Sequence, residues 1–147
     1  MVKAKIKLTN SFQLEAYKQG LIKETEVRSE VVTALVDSGA YMLCINEHLQ
    51  NQLGLRTIEI MEAELADGSI KSLNVVGPLE INFENRSTSC RAAVMPGQAE
   101  VLLGSIPMED MDVIIHPKKQ ILIVNPENPY IAKKKIKVAM PTVGKSQ

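Results

Sequence analysis

Turn signals cut this chain into short pieces, and that limits it to folds built from short strands. Asn10-Ser11, Asp37-Ser38-Gly39, Gly54, Asp67-Gly68, Gly77-Pro78, Pro96-Gly97 and Pro117-Lys118-Lys119 punctuate the sequence. Between them lie runs rich in aliphatic and β-branched residues. In KAKIKL, residues 3–8, Ala4, Ile6 and Leu8 fall on one face and three lysines on the other. That is the period of a half-buried strand. Residues 26–36 (EVRSEVVTALV) predict a second strand that stops at the turn-forming Asp-Ser-Gly. In LEINF, Leu79, Ile81 and Phe83 share one side, and SCRAAVM, VLLG, DVIIH and QILIV follow as further short strands. Gly77-Pro78 reads as a break between strands.

Residues 57–66 (TIEIMEAELA) fit two descriptions, because Ile58 and Ile60 alternate with charge while MEAELA consists of good helix formers. The Asp67-Gly68 hairpin signal and the SIKSLNVV that follows favour a strand. Helical signals are fewer. Asn46 reads as the N-cap of a short helix, EHLQNQL, closed by Gly54, with Leu49 and Leu53 on its buried face. SIPMEDM fits one or two helical turns, and QLEAYKQG a helical turn or an irregular excursion. The pattern predicts a mostly β fold, a small closed barrel or sandwich with one or two short helices.

At 147 residues the chain is one domain's worth of sequence, enough for a real hydrophobic core. A domain over 1–130 and a lysine-rich tail over 131–147 are expected. The segment PENPYIAKKKIKVAMPTVGKSQ, with three prolines, reads as an extended strap ending in a disordered tail. Its lysines read as a solvated face. With no Trp and aromatics at 3%, the core must be aliphatic, and base-stacking platforms for single-stranded nucleic acid are not expected. Seventeen basic residues balance seventeen acidic ones, so charge points to neither nucleic acid nor an anionic membrane. No apolar stretch reaches the ~20 residues of a membrane span, and MVKAKIKL lacks the apolar core of a signal peptide. Two cysteines, Cys44 and Cys90, argue against a disulfide scaffold, so a cytoplasmic location is expected. Cys44 and His48 are four apart, but two residues do not make a zinc site, and His116 has no evident partner.

An ionisable residue in the middle of VVTALVDSGAYML needs a reason, because a buried charge is costly unless paired or solvated. Asp37 has three. It caps its own backbone in an Asx turn, the ordinary fate of Asp before Gly. Alternatively Ser38 is a nucleophile, although no G-x-S-x-G elbow surrounds it and no motif ties either histidine to it. Or Asp37 is half of an acid–base carboxylate pair.

Three segments in order bear on the choice: VRSEVVTALVDSGAYMLCI, LADGS, and VLLGSIPMEDMDVIIHPKKQILIVNPENP. Together they resemble the retropepsin-like aspartic proteases, and more closely the small prokaryotic clan AA members. Those chains carry a D-[ST]-G-A turn, a hairpin flap and a hydrophobic-hydrophobic-Gly segment, and the likeness spans residues 3–130.

The resemblance implies a dimeric retropepsin-like fold and an aspartic endopeptidase working without metal or organic cofactor. Two carboxylates sharing one proton supply both base and acid, as is established for aspartic proteases. Only one D-[ST]-G is present, so the second Asp37 would come from another copy. Ser38 would hydrogen-bond across the pair, and Gly39 would give the turn its freedom and leave room for the partner chain. Ala40 brings no hydroxyl to the carboxylate, which implies activity reaching mildly acidic or near-neutral pH. Ala40, Ala66, Asp67, Gly68 and Ser69 would contact a peptide substrate, the last four as the flap. Leu102, Leu103 and Gly104 would support the catalytic loop. Tyr41 departs from the smaller residue of many relatives and would narrow the site or pack beneath it. The rival from another class is a dimeric, non-catalytic peptide-binding module on the same fold.

Overall fold

The computed structural model describes residues 1–136 of the chain. These form nine strands and three short α-helices, with a 3-10 turn at Glu24–Glu26. In β1 (Lys3–Asn10) the expected alternation holds, with Ala4, Ile6 and Leu8 buried and Lys3, Lys5 and Lys7 exposed. It pairs antiparallel with β2 (Ser29–Val36), Lys3 facing Leu35 and Thr9 facing Ser29. Between them, QLEAYKQG is not an irregular excursion: its first six residues belong to α1 (Ser11–Lys18) and Gln19-Gly20 turn out of it, which raises the helix count to three. Asn10 explains it: its side chain accepts from the Gln13 amide (3.0 Å) and so caps the helix start. Its side-chain nitrogen donates to the Leu53 carbonyl (2.9 Å), anchoring the same corner to the second helix.

β3 (Leu43–Asn46) runs into α2 (Glu47–Leu53) at the predicted cap, where the Leu49 amide donates to Asn46 (2.8 Å). Gly54 closes α2 in the left-handed conformation, and Leu49 and Leu53 are buried as expected. β4 (Thr57–Glu64) and β5 (Ile70–Phe83) form a long antiparallel hairpin, so the ambiguous 57–66 segment is strand up to Glu64 and turn beyond it. Gly77-Pro78 does not end a strand. β5 passes through it, and its register against β6 (Arg86–Met95) shifts between Val76 and Leu79. The irregularity absorbs a residue that has no N–H to give to the ladder.

The remaining elements are β7 (Leu102–Leu103), α3 (Ser105–Met111), β8 (Val113–His116) and β9 (Ile121–Val124). The main sheet runs β1-β2-β7-β3-β6-β5-β4, and β1 also pairs with β5. β8 and β9 form a separate two-stranded sheet. The core is aliphatic: Ile6, Leu8, Leu43, Ile45, Leu53, Leu79, Ile81 and Leu103 are fully buried, and Phe83 is its one aromatic among the described residues. Aliphatic side chains of this size stabilise the fold by about 1.5–3 kcal/mol each when fully buried.

Beyond β9 the chain runs back over α3 without regular structure. Asn125, Asn128 and the Lys133 amide all donate to the Asp112 carboxylate, and Lys134 lies 3.2 Å from Asp110. The expected disordered tail falls mostly on 137–147, outside the described residues. No helix among the described residues is long and apolar enough to cross a membrane.

Candidate active site

The order of the strands positions Asp37. β7 lies between β2 and β3, parallel to β2 (Leu35 beside Leu102, Val36 beside Leu103) and antiparallel to β3 (Cys44 beside Leu102). The chain leaving β2 must therefore arch over the end of β7 to enter β3, and residues 37–42 are that arch. Its entry is fixed by the Asp37 amide, which donates to the Leu103 carbonyl (3.0 Å). Its far side is fixed by α3, whose first two amides, Ser105 and Ile106, donate to the carbonyls of Ala40 (2.9 Å) and Tyr41 (3.2 Å). These bonds satisfy orphan helix donors and arch carbonyls together.

Gly104 makes the crossing possible. A β-carbon there would lie 2.5 Å from the Met42 carbonyl oxygen and 2.8 Å from that of Ala40. Its backbone is ordinary extended (φ −87°), so the requirement is for space alone. Leu103 is fully buried directly before it, while Leu102 is partly exposed.

Within the arch, the Gly39 amide donates to Asp37 Oδ1 (2.9 Å) and the Ala40 amide to the Asp37 carbonyl (3.0 Å). The Asx turn is therefore present, and it aims the carboxylate as well as closing the loop. Asp37 and Ala40 are half-buried, whereas Ser38 and Gly39 are exposed at the crest. A β-carbon on Gly39 would approach Asp37 Oδ1 to 3.2 Å.

Asp37 opens on a groove of about 610 Å³ between the arch and the β4–β5 hairpin. Gly39, Ala40 and Leu102 line it with Asp37 on one side, and Met61, Ala63, Leu65 and Ala66 on the hairpin side. Leu73, Ala93 and Met95 complete an apolar wall. Of the four residues expected to act as a flap, Ala66 lines the groove. Asp67, Gly68 and Ser69 form the exposed tip beyond it. There the Leu65 amide donates to the Ser69 carbonyl (2.8 Å), and the Ser69 amide and hydroxyl donate to Asp67 Oδ1 (2.9 and 2.6 Å). Those bonds hold the Asp67 carboxyl below the usual range. Tyr41 lines the groove and does not pack beneath the site, since the residue is 70% exposed.

Several lining residues went unassigned in the sequence. Met61 and Ala63 of β4 and Leu65 just beyond it carry a signal, since these period-2 positions are half-buried and alternate with the exposed Glu62 and Glu64. Met95 and Leu73 carry none, because only the tertiary fold brings them there. Cys44 is half-buried in the groove, and burial and then the Asp37 charge push its thiol pKa up. Cys90 is pushed up to about 12, chiefly by burial. His48 is exposed, and the turn partner that His116 lacks in sequence is the Lys119 amide, which donates to its Nδ1 (3.0 Å). No cluster of three His, Cys, Asp or Glu able to hold a metal occurs among the described residues.

The sequence profile of a family described as aspartyl protease matches residues 24–119, which take in the arch, the hairpin and β7. The chain belongs to the aspartyl protease family. In this family member the arrangement of strands is similar to the crystal structure of the retroviral protease-like domain of Ddi1 from Leishmania major. The two share 14% identity at a TM-score of 0.51, over 86% of this chain and 90% of that one. At that identity the likeness speaks for the fold. No curated protein sequence matches the chain.

Proposed function

We propose that this family member is a homodimeric aspartic endopeptidase. The observation that carries the reading is a half-buried carboxylate, Asp37, held by a braced arch at the edge of an apolar groove roofed by a hairpin. Such a groove takes an extended peptide, and the hairpin shields the bond to be cut from bulk water. Hydrolysis needs a base to activate water and an acid to protonate the carbonyl oxygen and then the leaving nitrogen. One carboxylate cannot do both at once. The exposed crest, Ser38-Gly39, is free to meet the same crest of a second copy and bring two Asp37 side chains together across a two-fold axis. One is then ionised and the other protonated, because two adjacent carboxylates do not both ionise cheaply.

In this reading Ser38 and Gly39 hold the paired turns. Ala40 and Ala66 contact substrate, with Asp67, Gly68 and Ser69 as the closing tip, and Leu102, Leu103 and Gly104 support the arch. The catalytic domain takes in residues 1–130, with 131–147 as an extension whose Lys133 and Lys134 are tied back to Asp112 and Asp110. The free thiols fit a cytoplasmic location.

The apolar lining alone would suit peptide binding without turnover, and this supports a second reading as a dimeric peptide-binding module. Cleavage of a diverse peptide library by wild type and by Asp37→Asn separates the two. Products from wild type only support the protease. Equal products from both remove Asp37 from the mechanism, and products from neither favour the binding module.

A further inference from the structure

The groove gathers methionines from three separate elements. Met42 comes from the arch, Met61 from β4 and Met95 from the end of β6, and all three are half-buried along its wall. Two other methionines, Met108 and Met111, are 8% and 0% exposed in the core, and Met1 is 90% exposed and does not line the groove. Thus three thioethers of intermediate exposure face one cavity, where a small polar oxidant reaches them and a folded interior does not hide them.

We propose that Met42, Met61 and Met95 form an oxidative modification site that closes the groove to apolar peptide side chains. The proposal rests on the reading of the groove as the substrate site. The reagent is hydrogen peroxide. A sulfur lone pair attacks one peroxide oxygen, the O–O bond breaks, and the departing hydroxide takes the remaining proton to leave as water. Sulfur is oxidised by two electrons and peroxide is reduced by two. Each event turns a flexible apolar side chain into a polar sulfoxide with a strong acceptor oxygen. Apart from the carboxyl groups of Asp37, Glu62 and Glu64, the polar side chains lining the groove are Tyr41 and Cys44, and the rest of the wall is apolar, so that oxygen has few donors to meet. An apolar substrate side chain seated there would strip its hydration, so binding weakens.

Cys44 shares the groove, but burial and the neighbouring Asp37 keep it in the less reactive thiol form. The two kinds of oxidation separate chemically. Dithiothreitol reverses cysteine sulfenate and disulfide, whereas methionine sulfoxide needs its reductases.

The test treats the full chain with graded hydrogen peroxide and maps added oxygen by mass spectrometry. Peptide cleavage is followed on the same samples, or binding of an apolar peptide where untreated protein shows no turnover. The expected result is oxidation of Met42, Met61 and Met95 well before Met108 and Met111, with Met1 as the exposed reference. Cleavage or binding should fall about tenfold or more in step with the groove sites, recovering with methionine sulfoxide reductases and not with dithiothreitol. A variant carrying Leu at all three positions should keep its own untreated rate, whatever that is, after peroxide. Core methionines oxidising first, undiminished binding by groove-oxidised protein, or recovery with dithiothreitol alone would overturn the proposal. Failure of the protease reading shows separately, as absent turnover before any peroxide is added.

Discussion

The α-carbon of Gly104 and the carbonyl oxygen of Met42 are so close that a single added β-carbon would sit 2.5 Å from that oxygen. This contact stacks the Asp37 arch on the end of β7. The three nearest atoms, the Met42 carbonyl oxygen and amide nitrogen and the Ala40 carbonyl oxygen, are all backbone, so no side-chain rotation relieves the clash. Gly104→Ala should therefore lift the arch, at a cost of about 1–3 kcal/mol in stability. Turnover should fall about a hundredfold, because a misplacement of this size disrupts carboxylate geometry. Thermal melts and initial rates on one peptide check both. A variant with wild-type kinetics would separate the arch from the chemistry.

Gly68 offers a contrasting test, because its constraint is conformational. Its φ is +85° and nothing lies within 4 Å of where a β-carbon would be. Gly68→Ala clashes with nothing but strains the tip turn by about 1–2 kcal/mol. If the hairpin closes on substrate, kcat/KM should drop several-fold while the melting temperature falls by only about 2–8 °C. An unchanged kcat/KM would make the tip an ordinary surface turn.

Asp112 fastens the segment after β9 with three donors on its carboxylate, and Thr88 and Lys134 do the same for Asp110. The Lys133 amide is the main cause holding Asp112 below the usual carboxylate range, and the Thr88 hydroxyl that for Asp110. A depressed folded-state pKa contributes stability that is complete above the unfolded value of about 3.9 and is lost as pH falls through the folded value. Asp112→Asn keeps a residue that tolerates the left-handed backbone at φ 55°. It should destabilise the protein at pH 6, and the difference from wild type should vanish as pH drops below about 4. Amide hydrogen exchange at Asn128 and Lys133 should quicken in the variant at pH 6. A stability gap that persists undiminished in acid would contradict this assignment.

Much of this was legible in the chain. β1, the Asn46 cap with Gly54, and the β4–β5 hairpin follow from periodicity, capping chemistry and a Gly at positive φ, all of them local. Asp37, Gly104 and their order could be read as well, because short motifs mark them. What stayed hidden is what tertiary contact decides. α1 depends on Asn10 reaching both Gln13 and Leu53, and Gly77-Pro78 stays within a strand because β6 accommodates its shifted register. Met95 and Leu73 reach the groove only through strand order, and no spacing in the sequence announces that.

The central claim is that one active site uses Asp37 from two copies, and subunit mixing tests it most directly. Wild type and Asp37→Asn are unfolded together, refolded at constant total concentration, and assayed as the wild-type fraction varies. If each site needs both carboxylates, activity follows the square of that fraction, falling to about a quarter at equal mixing. A linear fall, to about half, would mean that each chain works with its own Asp37 alone and would contradict the shared site.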